Sequence, residues 1–88
     1  MNFVCKQYNV SIYGDGEKEY EGYYLVILDE FDEFDNPTRR KHKFYVKATN
    51  RNHVVEFVEH MIYNGLIQCI GINEKIKIRK YWEMIEEN

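Results

Sequence analysis

The sequence predicts a small α+β fold, an antiparallel sheet with one amphipathic helix packed on one face. Three observations support this prediction. Several segments alternate apolar and polar residues, one segment repeats its apolar residues at helical spacing, and glycine- or asparagine-containing breaks separate these segments. The chain has 88 residues and is 44% hydrophobic, so a single folded domain over residues 1–88 is expected.

Three strands are expected before the helix. Residues 4–12 alternate apolar with polar side chains, and the glycines at residues 14–16 favour a hairpin turn. Residues 20–28 end in a continuous apolar run, which is typical of a central strand, and Gly22 within them is a candidate bulge. A loop over residues 29–40 follows, and residues 42–48 alternate as a third strand with one solvent-exposed face.

The helix has the clearest signals. Residues 49–52 are rich in N-cap side chains, and Asn64-Gly65-Leu66 is typical of a Schellman ending with Gly65 in the left-handed conformation. Between them, apolar residues recur at helical spacing and form one stripe that consists of Val54, Phe57, Val58, Met61 and Ile62.

Beyond the helix, residues 66–72 form a fourth strand or an extended connection. Residues 73–74 turn the chain, and Ile76 and Ile78 alternate with basic residues as a further strand. From Tyr81 two interpretations stay open, because residues 80–87 suit either a continued strand or a short amphipathic helix. The predicted order is therefore βββαββ, with a possible C-terminal helix.

The sequence offers no cofactor or metal motif. The glycines at residues 14–16 precede a predicted strand rather than a helix, which is the wrong context for a phosphate-binding loop. His53 and His60 share one side of the helix but lack the spacing and the cysteine partners of a zinc site. The carboxylates lie in a predicted loop, where nothing would desolvate one for acid–base catalysis. We therefore expect no enzyme activity, no cofactor and no metal.

The expected location is the cytoplasm. The N-terminus lacks a signal-peptide pattern, and no apolar run approaches the roughly 20 residues of a membrane helix. Cys5 and Cys69 lie in apolar, strand-like contexts, so both are expected to be buried thiols.

Charge is strongly segregated along the chain. Residues 15–35 contain nine acids and one lysine, a local net charge of −8, whereas residues 36–55 contain six basic residues and no acid. The overall net charge of −3 conceals both blocks. Each block is a candidate interaction surface for a partner of the opposite charge.

The acidic block contains the tripeptide Asp-Glu-Phe twice in succession. Acids at this density, interleaved with aromatic rings, are a candidate surface for a basic protein, and their charge spacing is a candidate mimic of a nucleic-acid backbone. In the competing interpretation, Phe31 and Phe34 pack under the sheet and the acids are merely solvated. The predicted partner-binding residues are Tyr20, Tyr23, Asp29, Glu30, Phe31, Asp32, Glu33, Phe34 and Asp35.

The basic block supports an alternative, nucleic-acid binding by a sheet that enters the major groove. Its candidate residues are Arg39, Arg40, Lys41, Lys43, Tyr45 and Lys47. Two arguments oppose it: the isoelectric point is about 5.6, and the lysines have candidate cross-strand partners in Glu19, Glu21 and Asp29.

The expected function is a non-enzymatic protein-interaction module, a small acidic inhibitor or adaptor for a basic partner protein. In being short, acidic and free of catalytic motifs, the chain is similar in type to phage-encoded inhibitors of host defence, although no motif identifies a family. Nucleic-acid binding is the first alternative. The second is a structural homo-oligomer, such as a homodimer, that pairs through an edge strand or an uncovered sheet face.

Overall fold

A computed structural model of the chain describes residues 1–14 and 22–78. These residues form five strands and one α-helix: β1 (Asn2–Cys5), β2 (Tyr8–Tyr13), β3 (Tyr23–Phe31), β4 (Pro37–Lys47), α1 (Arg51–Tyr63) and β5 (Lys75–Lys77). The predicted turn at Asp15 and Gly16, the side chain of Tyr20 and the two interpretations of residues 80–87 lie outside the described residues.

The five strands form one sheet in the order β1-β2-β3-β4-β5. The first four are antiparallel neighbours, and β5 pairs with β4 in parallel. The predicted α+β class is confirmed, but four strands rather than three precede the helix. The parallel pair arises because α1 returns the chain along β4, so that the next strand runs in the same direction as β4.

The predicted first strand is in fact two strands. Cys5 pairs with Tyr8, so Lys6 and Gln7 form a two-residue hairpin turn, with Lys6 in the left-handed region at φ 50°. This turn changes which side chains face the helix: Phe3 and Cys5 share the face of Tyr8, whereas Val4 is 76% exposed. The apolar alternation of residues 4–12 did not reveal the turn, because Lys-Gln has none of the usual turn chemistry.

The predicted loop over residues 29–40 is shorter than expected. Strand β3 continues to Phe31 and β4 begins at Pro37, which leaves residues 32–36 as the connection. The charged residues on either side are accommodated in the sheet because Asp29 is paired with Lys41, with 3.5 Å between Oδ1 and Nζ. The ladder therefore continues where the sequence suggested a loop, and opposite charges face each other across it.

The helix matches its sequence signals at both ends. The Asn50 side chain accepts a hydrogen bond of 3.0 Å from the backbone N–H of His53. At the other end, the Leu66 N–H donates to the Met61 carbonyl at 2.8 Å and the Gly65 N–H donates to the Ile62 carbonyl at 3.1 Å. Together these are the two bonds of a Schellman motif, with Gly65 at φ 65°.

The core lies between α1 and one face of the sheet. All five residues of the predicted helical stripe are buried, and Phe57 of the helix and Phe44 of β4 are the largest side chains that are fully buried. Alternate residues of β3, Tyr24, Val26 and Leu28, complete the apolar layer. Burial of these side chains is the main source of stability, at about 1.5–3 kcal/mol for each large one.

The segment after the helix is an irregular connection rather than a strand. A short 3-10 helix spans Ile67–Cys69, and Ile67 and Ile70 are buried beneath it. Cys5 is buried as predicted, but Cys69 is exposed, so the expectation for Cys69 is wrong. Both thiols are free, and no disulfide links them. The apolar neighbours of Cys69 reach the core because the 3-10 geometry turns them inward and leaves the cysteine outside.

A substitution at Gly65 tests the helix ending. No heavy atom lies within 4 Å of a Cβ added there, so the cost of Gly65→Val is backbone strain alone, about 1–2 kcal/mol of unfolding free energy. Gly65→Asn should cost less, because asparagine tolerates positive φ. Chemical denaturation measures both. A Gly65→Val midpoint equal to that of the wild type would contradict the left-handed ending.

Burial raises the pKa of Tyr8 above its ordinary value, and the carboxylate of Glu30 raises that pKa further, while a hydrogen bond with Gln7 opposes both. The folded state therefore keeps the phenol proton above about pH 10, where the unfolded chain loses it. Stability should fall as pH rises from about 10 towards the folded pKa. We expect the free energy of unfolding of the wild type to fall relative to that of Tyr8→Phe between pH 9 and pH 11, because the variant has no phenol to ionise in the unfolded chain. Urea denaturation measures both, and a constant difference between them would contradict the prediction.

Candidate functional site

The connection between β3 and β4, residues 32–36, is held in place by the side chain of Asp32. Its Oδ1 atom accepts hydrogen bonds from the backbone N–H groups of Phe34 and Asn36, each at 2.9 Å. The Asp32 N–H donates to the Asn36 carbonyl at 2.9 Å, and the Asp35 N–H donates to the Asp32 carbonyl at 3.1 Å. One carboxylate thus organises the turn from within, as Asp commonly does in tight connections. We call residues 32–36 the acidic loop.

The acidic loop exposes an aromatic ring among carboxylates. Phe34 is 80% exposed, and Asp32, Glu33 and Asp35 around it are exposed as well. Phe31, at the end of β3, is half-buried. The interpretation in which both rings pack under the sheet is therefore wrong for Phe34, because the turn built by Asp32 leaves its side chain in solvent.

The other predicted acids lie apart from this loop. Asp29 is engaged with Lys41 on the face of the sheet that points away from α1. Glu30 is the register partner of Tyr8, whose side chain belongs to the core. The alternation of a strand sends neighbouring side chains to opposite faces, so Asp29 and Glu30 cannot form a single surface.

Tyr23 does not join the acidic loop either. It begins β3 and Phe31 ends it, so the two residues are about 26 Å apart at about 3.3 Å per residue. Tyr20 lies outside the described residues. The predicted partner-binding set is thus divided, and its exposed members that lie together are Asp32, Glu33, Phe34 and Asp35.

An open depression of about 520 Å³ adjoins the acidic loop. Its lining includes Phe31 and residues of both charges, among them the acids Glu30 and Glu33 and the base Arg40. A second depression of about 330 Å³ lies on the Val4 side of Phe31. Phe31 therefore lines both depressions, and each is large enough for a side chain of a partner.

The predicted basic strand is confirmed as a shared face for four of its residues, Lys41, Lys43, Tyr45 and Lys47. The first of these is opposite Asp29, but Lys43 is opposite Ile27 and Lys47 is opposite Tyr23. Pairing with Asp29 therefore applies to Lys41 alone, and the other two lysines have apolar or aromatic cross-strand neighbours. Glu19 and Glu21 lie outside the described residues.

Arg39 and Arg40 do not continue this face. The pairing of β3 with β4 is irregular between Asp29 and Phe31, and Arg39 has φ 67° within that stretch. The Thr38 hydroxyl donates to the Glu30 carbonyl at 3.1 Å and accepts from the Arg40 N–H at 3.2 Å. This bulge breaks the alternation, so the two arginines are separated from the lysines that follow.

Strand β5 adds two lysines to the face, which the sequence did not reveal. Lys75 and Lys77 are register partners of Tyr45 and Lys47. The ammonium groups of Lys47 and Lys75 lie 5.8 and 5.9 Å from the centroid of the Tyr23 ring. The ammonium of Lys43 lies 6.0 Å from the centroid of the Tyr45 ring. The basic face is hereafter the set Tyr23, Lys41, Lys43, Tyr45, Lys47, Lys75 and Lys77.

The residues most suited to catalysis or metal binding are dispersed. His53 shares a hydrogen bond of 2.9 Å with the Thr49 hydroxyl, and the ring of His60 lies 3.3 Å from the amide of Asn64. A contact with the Cys5 thiol raises the pKa of the Tyr63 hydroxyl. Among residues 1–14 and 22–78, no group of three or more His, Cys, Asp or Glu side chains is arranged to hold a metal ion.

Comparison of the chain with protein-family models, with curated proteins and with solved structures found no match. No helix within the described residues is long and apolar enough to cross a membrane. The acidic loop and the basic face are therefore the candidate interaction surfaces of the described residues.

The role of Asp32 in shaping the acidic loop is testable. Asp32→Ala removes the acceptor of two hydrogen bonds and should lower the free energy of unfolding by about 1–2 kcal/mol. Asp32→Asn keeps an Oδ1 acceptor while removing the charge, so its stability should stay within about 0.5 kcal/mol of the wild type. Urea denaturation measures both, and equal losses for the two variants would show that charge rather than hydrogen bonding matters.

Proposed function

We propose that this chain is a non-enzymatic protein-interaction module, a small acidic inhibitor or adaptor whose acidic loop binds a basic protein. The observation that carries the proposal is the 80% exposure of Phe34 within a turn that the chain itself holds in place. A phenyl ring in solvent contributes little to the core, and it supplies a large apolar contact when a partner covers it.

The fixed turn makes Phe34 an efficient anchor. Association costs conformational entropy when a loop must be ordered, and this cost is smaller when the loop is already held. The Asp32 carboxylate holds the backbone on both sides of the ring, at Phe34 and at Asn36. The backbone that carries the ring is therefore already ordered before a partner arrives.

The charges around the ring favour a basic partner. Asp32, Glu33 and Asp35 are exposed beside it, and opposite charge on a partner would accelerate the encounter. The adjoining depression is lined by three acids, Glu30, Asp32 and Glu33, and one base, Arg40, so its net negative lining favours the entry of a Lys or Arg side chain. An apolar contact at the centre with charges at the rim is the usual arrangement of a protein interface.

Thermal stability distinguishes Phe34 from its neighbour in the same motif. Phe34→Ser should leave the melting temperature unchanged within about 2 °C, because the ring lies in solvent. Phe31→Ser should lower the free energy of unfolding by about 1–2 kcal/mol, since Phe31 is half-buried. A large loss of stability in Phe34→Ser would place that ring in the core and remove it as a binding residue.

Binding is tested with immobilised wild type, Phe34→Ser and the double variant Glu33→Gln, Asp35→Asn. Lysate of the native cell is passed over each, with and without nuclease digestion. The proposal expects a basic protein that the wild type retains after digestion and Phe34→Ser loses. With that protein purified, Phe34→Ser should dissociate faster, and the double variant should associate more slowly at low salt. Equal retention by Phe34→Ser and wild type would refute the proposal.

A further inference from the structure

The basic face brings together lysines that are distant in sequence. Its lysines come from β4 and from β5, which are separated in the chain by the whole of α1. Register neighbours on these strands place Lys47 beside Lys77 and Tyr45 beside Lys75. Adjacent strands lie about 4.8 Å apart, so these pairs concentrate positive charge along one edge of the sheet.

The centre of the same sheet face is apolar and aromatic. Tyr13, Leu25 and Tyr45 are register partners across three strands, and Ser11 and Ile27 form the next row beside Lys43. Tyr13 is 49% exposed, and Leu25, Ile27 and Tyr45 are half-buried. The face that points away from α1 therefore has two parts: a lysine-rich edge, and a platform of rings and aliphatic side chains beside it.

We propose that this face binds single-stranded nucleic acid. The lysines of β4 and β5 would contact phosphates, and bases would stack on the platform at Tyr13 and Tyr45. A positively charged track beside aromatic side chains is the general requirement for binding single strands, because every base has a face that stacks. Lysine ammonium groups also lie near two rings of this face, Lys43 near Tyr45 and both Lys47 and Lys75 near Tyr23, so positive charge lies where a negatively charged ligand would approach.

The dimensions of the sheet favour a single strand over a duplex. Five strands at about 4.8 Å spacing are about 19 Å wide, whereas the major groove of B-DNA is about 12 Å wide. The whole face does not fit a groove, and the arginines that would extend β4 towards a duplex backbone lie in the bulge at residues 38–40. A flexible single strand can instead adapt to the surface of the sheet.

This proposal is independent of the acidic loop. The loop follows Phe31, about 26 Å from Tyr23 along β3, so a ligand on the lysine-rich edge near Tyr23 leaves Phe34 uncovered. Residues 15–21 contain four acids and one lysine, which lowers the net attraction for phosphates. The expected affinity is therefore micromolar at low salt rather than nanomolar.

The test measures fluorescence anisotropy of labelled 15-nucleotide oligo(dT) and oligo(rU) with the whole chain, at 20 to 200 mM salt. A duplex of equal length and a polyglutamate peptide of equal charge serve as competing ligands. The face variant is Lys43→Gln, Lys47→Gln, Lys77→Gln. The matched control, Lys6→Gln, Arg39→Gln, Arg40→Gln, removes the same charge outside the basic face. Tyr13→Ala and Tyr45→Leu probe the platform, and circular dichroism verifies that each variant is folded.

We expect wild type to bind a single strand with a slope of log affinity against log salt of about −2 to −3, as three to four phosphate contacts imply. The affinity for the single strand should fall at least about tenfold in the face variant, less than about threefold in the control and about fivefold in Tyr13→Ala. Equal losses of affinity in the face and control variants would show that only the net charge of the chain matters, and this would overturn the proposal. Preference for the duplex, equal binding of polyglutamate, or no binding at 100 µM protein in 20 mM salt would each overturn it as well.

Discussion

The pairing register of β3 with β4 is the constraint on which the rest of the structure depends. It sets Val26 beside Phe44 under the helix and Ile27 beside Lys43 on the opposite face. A shift of one residue would turn the lysines of β4 towards α1, where unpaired charge is costly to bury. The register that builds the core therefore also builds the basic face, and neither can change without the other.

The same strand pair determines where the two charge blocks lie in space, and it brings Asp29 of the acidic block against Lys41 of the basic block. Acids accumulate where β3 ends and the connection turns, while the lysines of β4 run along the sheet until Lys47, opposite Tyr23. The acidic loop and Lys47 therefore lie at opposite ends of the β3–β4 pair, and the bulge at Arg39 lies between the acidic loop and the lysines of β4. A linear count of charges identified both blocks but not their positions relative to each other.

Elements determined by local chemistry were predictable, and those determined by strand pairing were not. The helix, its Asn50 cap and its Gly65 ending follow from nearest neighbours, so the sequence specified them closely. The turn at Lys6 was missed because its residues carry no turn signal. The contribution of β5 was missed because a strand of three residues acquires its neighbours only from tertiary structure. At the acidic loop, the carboxylates were visible in the sequence, but the exposure of Phe34 depends on hydrogen bonds to Asp32.

Net charge is a poor guide to what such a molecule binds. At physiological ionic strength the Debye length is about 8 Å, so exposed charges about 26 Å apart are largely screened from each other. The carboxylates of the acidic loop therefore repel little of what approaches Lys47 and Lys77, even though the chain as a whole carries −3. An isoelectric point near 5.6 argues against binding over the entire surface, but it does not argue against a local basic face. The acidic loop and the Lys47–Lys77 end of the basic face are far apart on this scale, so the charge of one has little effect on what approaches the other.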